Sequence, residues 1–408
     1  MEKSFRGSSH WTRWQVLIAG IILQTAIGGI YAWSTFVPAL VETYGYRTGQ
    51  TGLIIGLQIA VFSSITIPGG KLLYAWGPRT TAAVGAVLFG AGYVAASYFA
   101  HSFPLLLFFL GGVSGTGIGL VYVCPLTTGM LWFPRNRGIV TGAAVSGFGL
   151  GAVILSLTAE YLMRQGGLGV DEMFRVTGGL FGGVALCAAL LLKTPHSMGR
   201  PREEAGDGSR PTMRGTLIFR FIQYAMFAGT FSGLLLSGNL TPFILNMGGS
   251  EAQAALSISL FAVGNTLGRL IWGGVHDRHK SRWTIRCSLG LLTVVLLAMS
   301  VLGGPDMIRL QLLLIILAGF GFGACFVVYA ATVVEIFGVA SLPKMYPFVF
   351  MGYGAAALIA PAFGGWSADR TGSYTTGIVI SAAVVAVAFF LTVLLRTYFT
   401  SAKEEIHA

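Results

Sequence analysis

The sequence predicts an all-α membrane protein, with twelve transmembrane helices arranged as two pseudo-symmetric six-helix bundles. Three observations carry that expectation. Of 408 residues, 54% are hydrophobic and 10% charged, against about 25% charged in an ordinary soluble domain. The apolar residues fall in blocks of about 20, the length needed to cross the hydrocarbon core of a bilayer. The two halves of the chain also resemble each other at an offset of about 204 residues, the signature of an internal repeat.

Polar breaks mark spans at 15–41, 51–73, 81–100, 105–132, 139–162 and 175–192, then at 218–246, 254–275, 284–303, 310–334, 346–367 and 374–396. The longest polar interval, Lys193 to Arg214, carries Pro195, Pro201, Pro211 and mixed charge, which reads as a solvated linker. The expected division is an amino-terminal bundle at 1–192, a cytoplasmic linker at 193–216 and a carboxy-terminal bundle at 217–408. Met1 to Arg13 is short and polar and is followed by a full-length span, unlike a cleaved signal peptide. With both termini placed in the cytoplasm, 20 Lys and Arg face inward and 5 face outward; Arg269 completes the total of 26. That asymmetry obeys the positive-inside rule and accounts for the net charge of +11 without nucleic acid. The absence of a targeting segment and the compact loops suit a bacterial inner membrane.

Glycine, at 58 of 408 residues, is about twice its usual share and predicts helices packed backbone to backbone. The repeat is visible in the same residues. Gly115-Thr116-Gly117-Ile118-Gly119 in the fourth span corresponds to Gly319-Phe320-Gly321-Phe322-Gly323 in the tenth, and Gly69-Gly70 corresponds to Gly273-Gly274. Cys124, Cys187, Cys287 and Cys325 lie in apolar segments without disulfide or zinc spacing and are expected to be buried small hydrophobes. No metal or cofactor is implied. The Gly-x-Gly-x-Gly runs sit inside apolar helices rather than at a strand-to-helix turn, so they are not phosphate loops, and nothing predicts enzyme chemistry or ATP-driven transport.

The chemistry converges on one charge. Ala255 to Gly274 is a largely apolar stretch with a single full charge, Arg269. A guanidinium does not shed its proton in a protein, so it belongs in a membrane span only where it faces the bundle interior, water or an anion. Asn265 lies one helical turn earlier on the same face, able to reach the same ligand. Tyr31, Tyr122, Tyr329 and Tyr353 fall near the middle of the first, fourth, tenth and eleventh spans, away from an interfacial aromatic belt. Such rings predict an apolar pocket with a few polar handles, suited to a small organic anion.

Pro68-Gly69-Gly70-Lys71-Leu72-Leu73-Tyr74-Ala75-Trp76-Gly77-Pro78-Arg79 and Gly273-Gly274-Val275-His276-Asp277-Arg278 resemble the signature loops of the major facilitator superfamily. Leu73 or Tyr74 stands where the first loop usually carries an acid, while Asp277 keeps the second. Three further stretches are similar to one branch, the monocarboxylate transporter family and its bacterial relative the oxalate:formate antiporter. They are Gly28-Gly29-Ile30-Tyr31-Ala32-Trp33-Ser34; Trp132-Phe133-Pro134-Arg135-Asn136-Arg137-Gly138 followed by Gly147-Phe148-Gly149-Leu150-Gly151; and Glu335-Ile336-Phe337-Gly338.

The resemblance implies the major facilitator fold, alternating access and a monomer as the working unit. It implies that Arg269 binds a substrate carboxylate and that Tyr31, Tyr122 and Phe326 line the cavity. The departures are specific. Thr35 stands at the first-span lysine of animal monocarboxylate transporters, Asn265 at their acid one turn before the arginine, and Tyr353 at the eleventh-span lysine of the oxalate carrier. One intramembrane cation favours one carboxylate, because a second would remain poorly compensated in low dielectric.

The expected function is secondary transport of a monocarboxylate such as lactate or pyruvate with a coupled proton. The alternatives are organic-anion exchange and, in a different class, a non-transporting carboxylate receptor. No titratable residue other than tyrosine or cysteine falls mid-span. A proton therefore travels on the substrate, uses an acid near a span end such as Asp277 or Glu335, or is not used. Asp277 with Arg278 or Arg282 reads first as an inner-gate pair.

Overall fold

The computed structural model describes residues 10–133, 137–194, 217–337 and 342–394. Residues 195–216 of the 193–216 linker and both termini, whose cytoplasmic placement the sequence predicts, lie outside the described residues, as does the Pro134–Asn136 part of the fourth-span motif. The spans are α1 (Thr12–Thr35), α2 and α3 (the two parts of Gly49–Tyr98), α4 (Phe103–Trp132), α5 (Val140–Met163) and α6 (Val170–Leu190). In the second half they are α7 (Leu217–Asn246), α8 (Glu251–His279), α9 (Ser281–Val301), α10 (Pro305–Phe337), α11 (Met345–Thr371) and α12 (Thr375–Leu394). The predicted twelve are present, with ends shifted by a few residues.

Three local features differ from the expectation. The Pro68–Arg79 stretch is not an extended loop: helix runs through it and breaks at Gly77, whose φ of +81° suits glycine. Pro78 then starts α3, where the missing amide proton leaves no hydrogen bond unmade. Asp277 likewise lies within helix rather than in a loop. The first span is not one uniform helix, because Gly29–Thr35 winds as a 3-10 helix and a separate helix, Val37–Tyr44, follows it. Trp33 in the tight segment donates its indole N–H to Thr51 O of α2 at 3.0 Å.

Glycine packing makes the repeat physical. A Cβ on Gly115 or Gly119 would stand 2.7 or 2.8 Å from Gln58 O or Phe62 O of α2. The matching Gly319 and Gly323 of α10 would strike Phe261 O and Asn265 O of α8. Between them Gly117 abuts α3 at Phe89, and Gly321 abuts α9 at Leu292. The same alternation therefore joins three helices in each half.

Polar side chains pin the same bundles by bonds to neighbouring backbones, as buried polar groups in membrane bundles commonly do. Gln24 donates to Tyr122 O at 3.3 Å, Gln223 to Phe348 O at 2.9 Å and Asn239 to Pro361 O at 3.1 Å. Between the halves, Gly56 of α2 packs on Ala357 O of α11, and Gly149 of α5 packs on Thr266 of α8. Cys124 and Cys325 are buried as expected, whereas Cys287 is half-buried and Cys187 exposed. The exposed thiol sits on an outward face of α6, where an apolar residue meets lipid instead of protein.

Gly264 and Gly268 of α8 would collide with Ile316 O and Phe320 O if given a Cβ, and such overpacking costs about 1–3 kcal/mol. Gly264→Ala is therefore expected to lower the melting temperature of the detergent-purified protein by several degrees. Gly183→Ala, on an exposed site with no atom within 4 Å of the added Cβ, is expected to cause no loss. Differential scanning fluorimetry of the two variants checks this.

Candidate functional site

α8 carries Arg269 to the middle of the molecule, where the residue is 1% exposed. Among the described residues it is the one Lys, Arg, Asp or Glu that is buried. Its partners are neutral. Nε donates to Asn265 Oδ1 at 3.1 Å, one turn back on the same helix. Nη1 donates to Val145 O at 2.5 Å, on α5 in the other half. The guanidinium carbon lies 4.4 Å from the Phe326 ring centre and 5.7 Å from that of Phe148. Among the described residues no ion pair involves Arg269. Placing such a charge inside a span costs about 3 kcal/mol even on insertion scales, and two neutral acceptors with two ring faces offset only part of it.

The aromatic residues expected at the site do converge there, with one exception. Tyr31 of α1 and Tyr353 of α11 share a hydrogen bond between their phenol oxygens at 2.8 Å. The Tyr31 ring meets Phe148 edge-on at 5.3 Å, and Phe326 meets Tyr353 at 5.2 Å. Tyr122 packs 5.9 Å from Phe148, lies within electrostatic reach of Arg269 and has a buried hydroxyl without a hydrogen-bond partner. Tyr329 is also buried with an unpartnered hydroxyl, but it makes no ring contact with this group. A small gap of about 10 Å³, room for about one water, lies against Tyr31, lined by α1, α2, α7 and α11 through residues such as Ile55, Leu234, Ser237 and Pro361.

Close approach of α1 and α5 positions the rings. Gly28 meets the backbone of Phe148, and Gly151 meets Thr25 O, so the two helices touch where Tyr31 and Phe148 face each other. Phe148 and the Val145 carbonyl were not anticipated as site groups. The Gly147-Phe148-Gly149-Leu150-Gly151 run marks the place, since glycines on both sides of an aromatic let that ring alone project. A backbone carbonyl leaves no trace in a sequence.

The acid and base residues near the ends of α8 and α10 separate into two kinds. Asp277 and Arg278 are exposed, and among the described residues no ion pair joins them. Glu335 of α10 instead accepts the Ser281 N–H at 2.9 Å and the Ser281 hydroxyl, while His276 Nε2 lies 3.0 Å from Ser281 Oγ and 3.7 Å from Glu335 Oε2. α8, α9 and α10 are thus tied together by a carboxylate, a hydroxyl and an imidazole. The sequence shows His276 and Ser281 only as polar residues near a span end.

Comparison with known proteins agrees with this architecture. The chain is 26% identical over 384 residues to the oxalate:formate antiporter of Oxalobacter formigenes, covering 93% of this chain and 90% of that protein. It is 26% identical to human monocarboxylate transporter 11, over 87% and 76% of the two chains, and 23% identical to apicoplast pyruvate carrier 1 of Toxoplasma gondii, over 84% and 81%. Among solved structures, a proton:xylose symporter superposes with a TM-score of 0.75 at 16% identity, over 94% of this chain and 95% of that one. The profile of the Major Facilitator Superfamily matches residues 16–245 and 221–406. With that match across nearly its whole length, the chain is a multi-pass membrane transporter, not an enzyme, and belongs to the Major Facilitator Superfamily.

Proposed function

We propose that the protein carries small monocarboxylates, of the size of lactate or pyruvate, by alternating access of the 1–192 and 217–408 halves around Arg269. The observation that carries this reading is a wholly buried guanidinium, between the halves, whose partners among the described residues are neutral. One carboxylate neutralises one such charge, whereas a dianion leaves a second charge uncompensated at low dielectric. Asn265 orients the guanidinium, Tyr122 offers its hydroxyl to the anion, and Tyr31, Phe326 and Tyr353 enclose the apolar part. Tyr329, buried but without ring contact to this group, takes a supporting place.

Transport is proposed to be symport with a proton taken at Glu335, held within a span beside His276 and Ser281. Asp277 and Arg278 are left as inner-gate residues. Exchange of one anion for another is the second reading, favoured by the likeness to an oxalate:formate antiporter. A working monomer in a bacterial inner membrane, with both termini inside, completes the proposal.

Uptake of radiolabelled L-lactate into proteoliposomes tests it. An inward proton gradient should drive accumulation, and a protonophore should collapse it. Arg269→Gln is expected to abolish uptake, and Arg269→Lys, which keeps the charge but loses the planar fork, to reduce it about tenfold or more. Uptake preserved in both variants would remove Arg269 from the site. Glu335→Gln is expected to bring the ratio of uptake with and without the gradient to about one; an unchanged ratio would place the coupled proton elsewhere.

A further inference from the structure

An arginine that holds an anion in a closed membrane site meets a difficulty on the return journey. To reorient unloaded, the carrier must close around the same cation without its counterion, and a desolvated charge resists that closure. In this protein the guanidinium is served by oxygen atoms of the chain itself. Asn265 Oδ1 sits one turn away on α8 and moves with Arg269. Val145 O comes from α5, so its bond to Nη1 spans the two halves. The Phe326 and Phe148 rings add their negative faces at 4.4 and 5.7 Å. A carboxylate arriving in bidentate fashion takes two of the five N–H groups of the fork, and these two oxygens satisfy two of the same five when no anion is bound.

We propose that the Asn265 amide oxygen and the Val145 carbonyl stand in for the substrate carboxylate, so that the unloaded carrier closes and reorients and the protein performs net transport rather than obligatory exchange. The proposal rests on the reading that a monocarboxylate binds Arg269. Asn265 acts here as a positioning residue. It lowers the cost of burying the cation when no anion is bound, and its neutrality keeps it from displacing the anion as a fixed carboxylate would. Val145 O supplies the complementary acceptor when the halves meet.

The test compares two fluxes in one preparation of proteoliposomes loaded with radiolabelled L-lactate at equal pH on both sides. Net efflux is measured into lactate-free buffer, and exchange into buffer with excess unlabelled L-lactate. The wild-type protein is expected to release label in both modes, with net efflux within about tenfold of exchange. Asn265→Leu keeps the volume and removes the oxygen, and is expected to lower the ratio of net efflux to exchange about tenfold, the effect of one lost bond to a charged group. Asn265→Asp is expected to hold the ratio at or above the wild-type value while raising the apparent KM for lactate. Exchange without net efflux in the wild-type protein overturns the proposal and leaves the substrate reading intact, as does a ratio unmoved in Asn265→Leu. Absence of flux in both modes overturns the substrate reading itself and the proposal with it.

Discussion

A guanidinium keeps its proton, and that constraint shapes the centre of this molecule. Arg269 has no titratable escape from burial, so the surroundings must solvate it. They do so with an amide oxygen, a backbone carbonyl and two aromatic faces. Two of these groups belong to the first half of the chain and two to the second. The charge is therefore also a measure of how closely the halves approach, since its bond to Val145 O exists only when α5 and α8 are in contact.

That contact is possible because of where the small residues lie. Gly319 and Gly323 bring α10 against the backbone of α8 at Phe261 and Asn265. The helix bearing the arginine is thereby seated against the helix bearing Phe326, which covers the guanidinium at 4.4 Å. In the first half Gly115 and Gly119 do the same for α4 and α2. Across the seam, Gly149 admits Thr266 to α5. A bundle whose helices meet through peptide groups rather than long side chains has few rotamers to rearrange when one half rocks against the other.

Much of this was legible in the sequence, for physical reasons. A bilayer demands long apolar runs, so the twelve spans are visible as blocks, and a lone charge in such a run is conspicuous. The i to i+4 spacing of Asn265 and Arg269 places them together on any helix, and they bond as that spacing implies. The gathering of Tyr31, Tyr122 and Tyr353 followed from similar depth and that of Phe326 from the family resemblance, although depth alone did not separate Tyr329, for which no ring contact with the cluster is found among the described residues. What escaped depends on three-dimensional approach. The Val145 carbonyl is invisible because every residue has one. His276, Ser281 and Glu335 meet across three helices, and their joining reflects packing instead of spacing. The helix running through Lys71 to Trp76 shows that polar residues near a span end need not leave the helix, since Gly77 alone makes the turn.

The 3-10 winding of Gly29–Thr35 has a mechanical consequence. A residue rises about 2.0 Å in a 3-10 helix and about 1.5 Å in an α-helix, so rewinding these 7 residues would shorten the segment by roughly 3.5 Å. Tyr31 lies inside it. Such rewinding would shift the Tyr31 phenol along the helix axis relative to Tyr353, to which it is hydrogen-bonded at 2.8 Å.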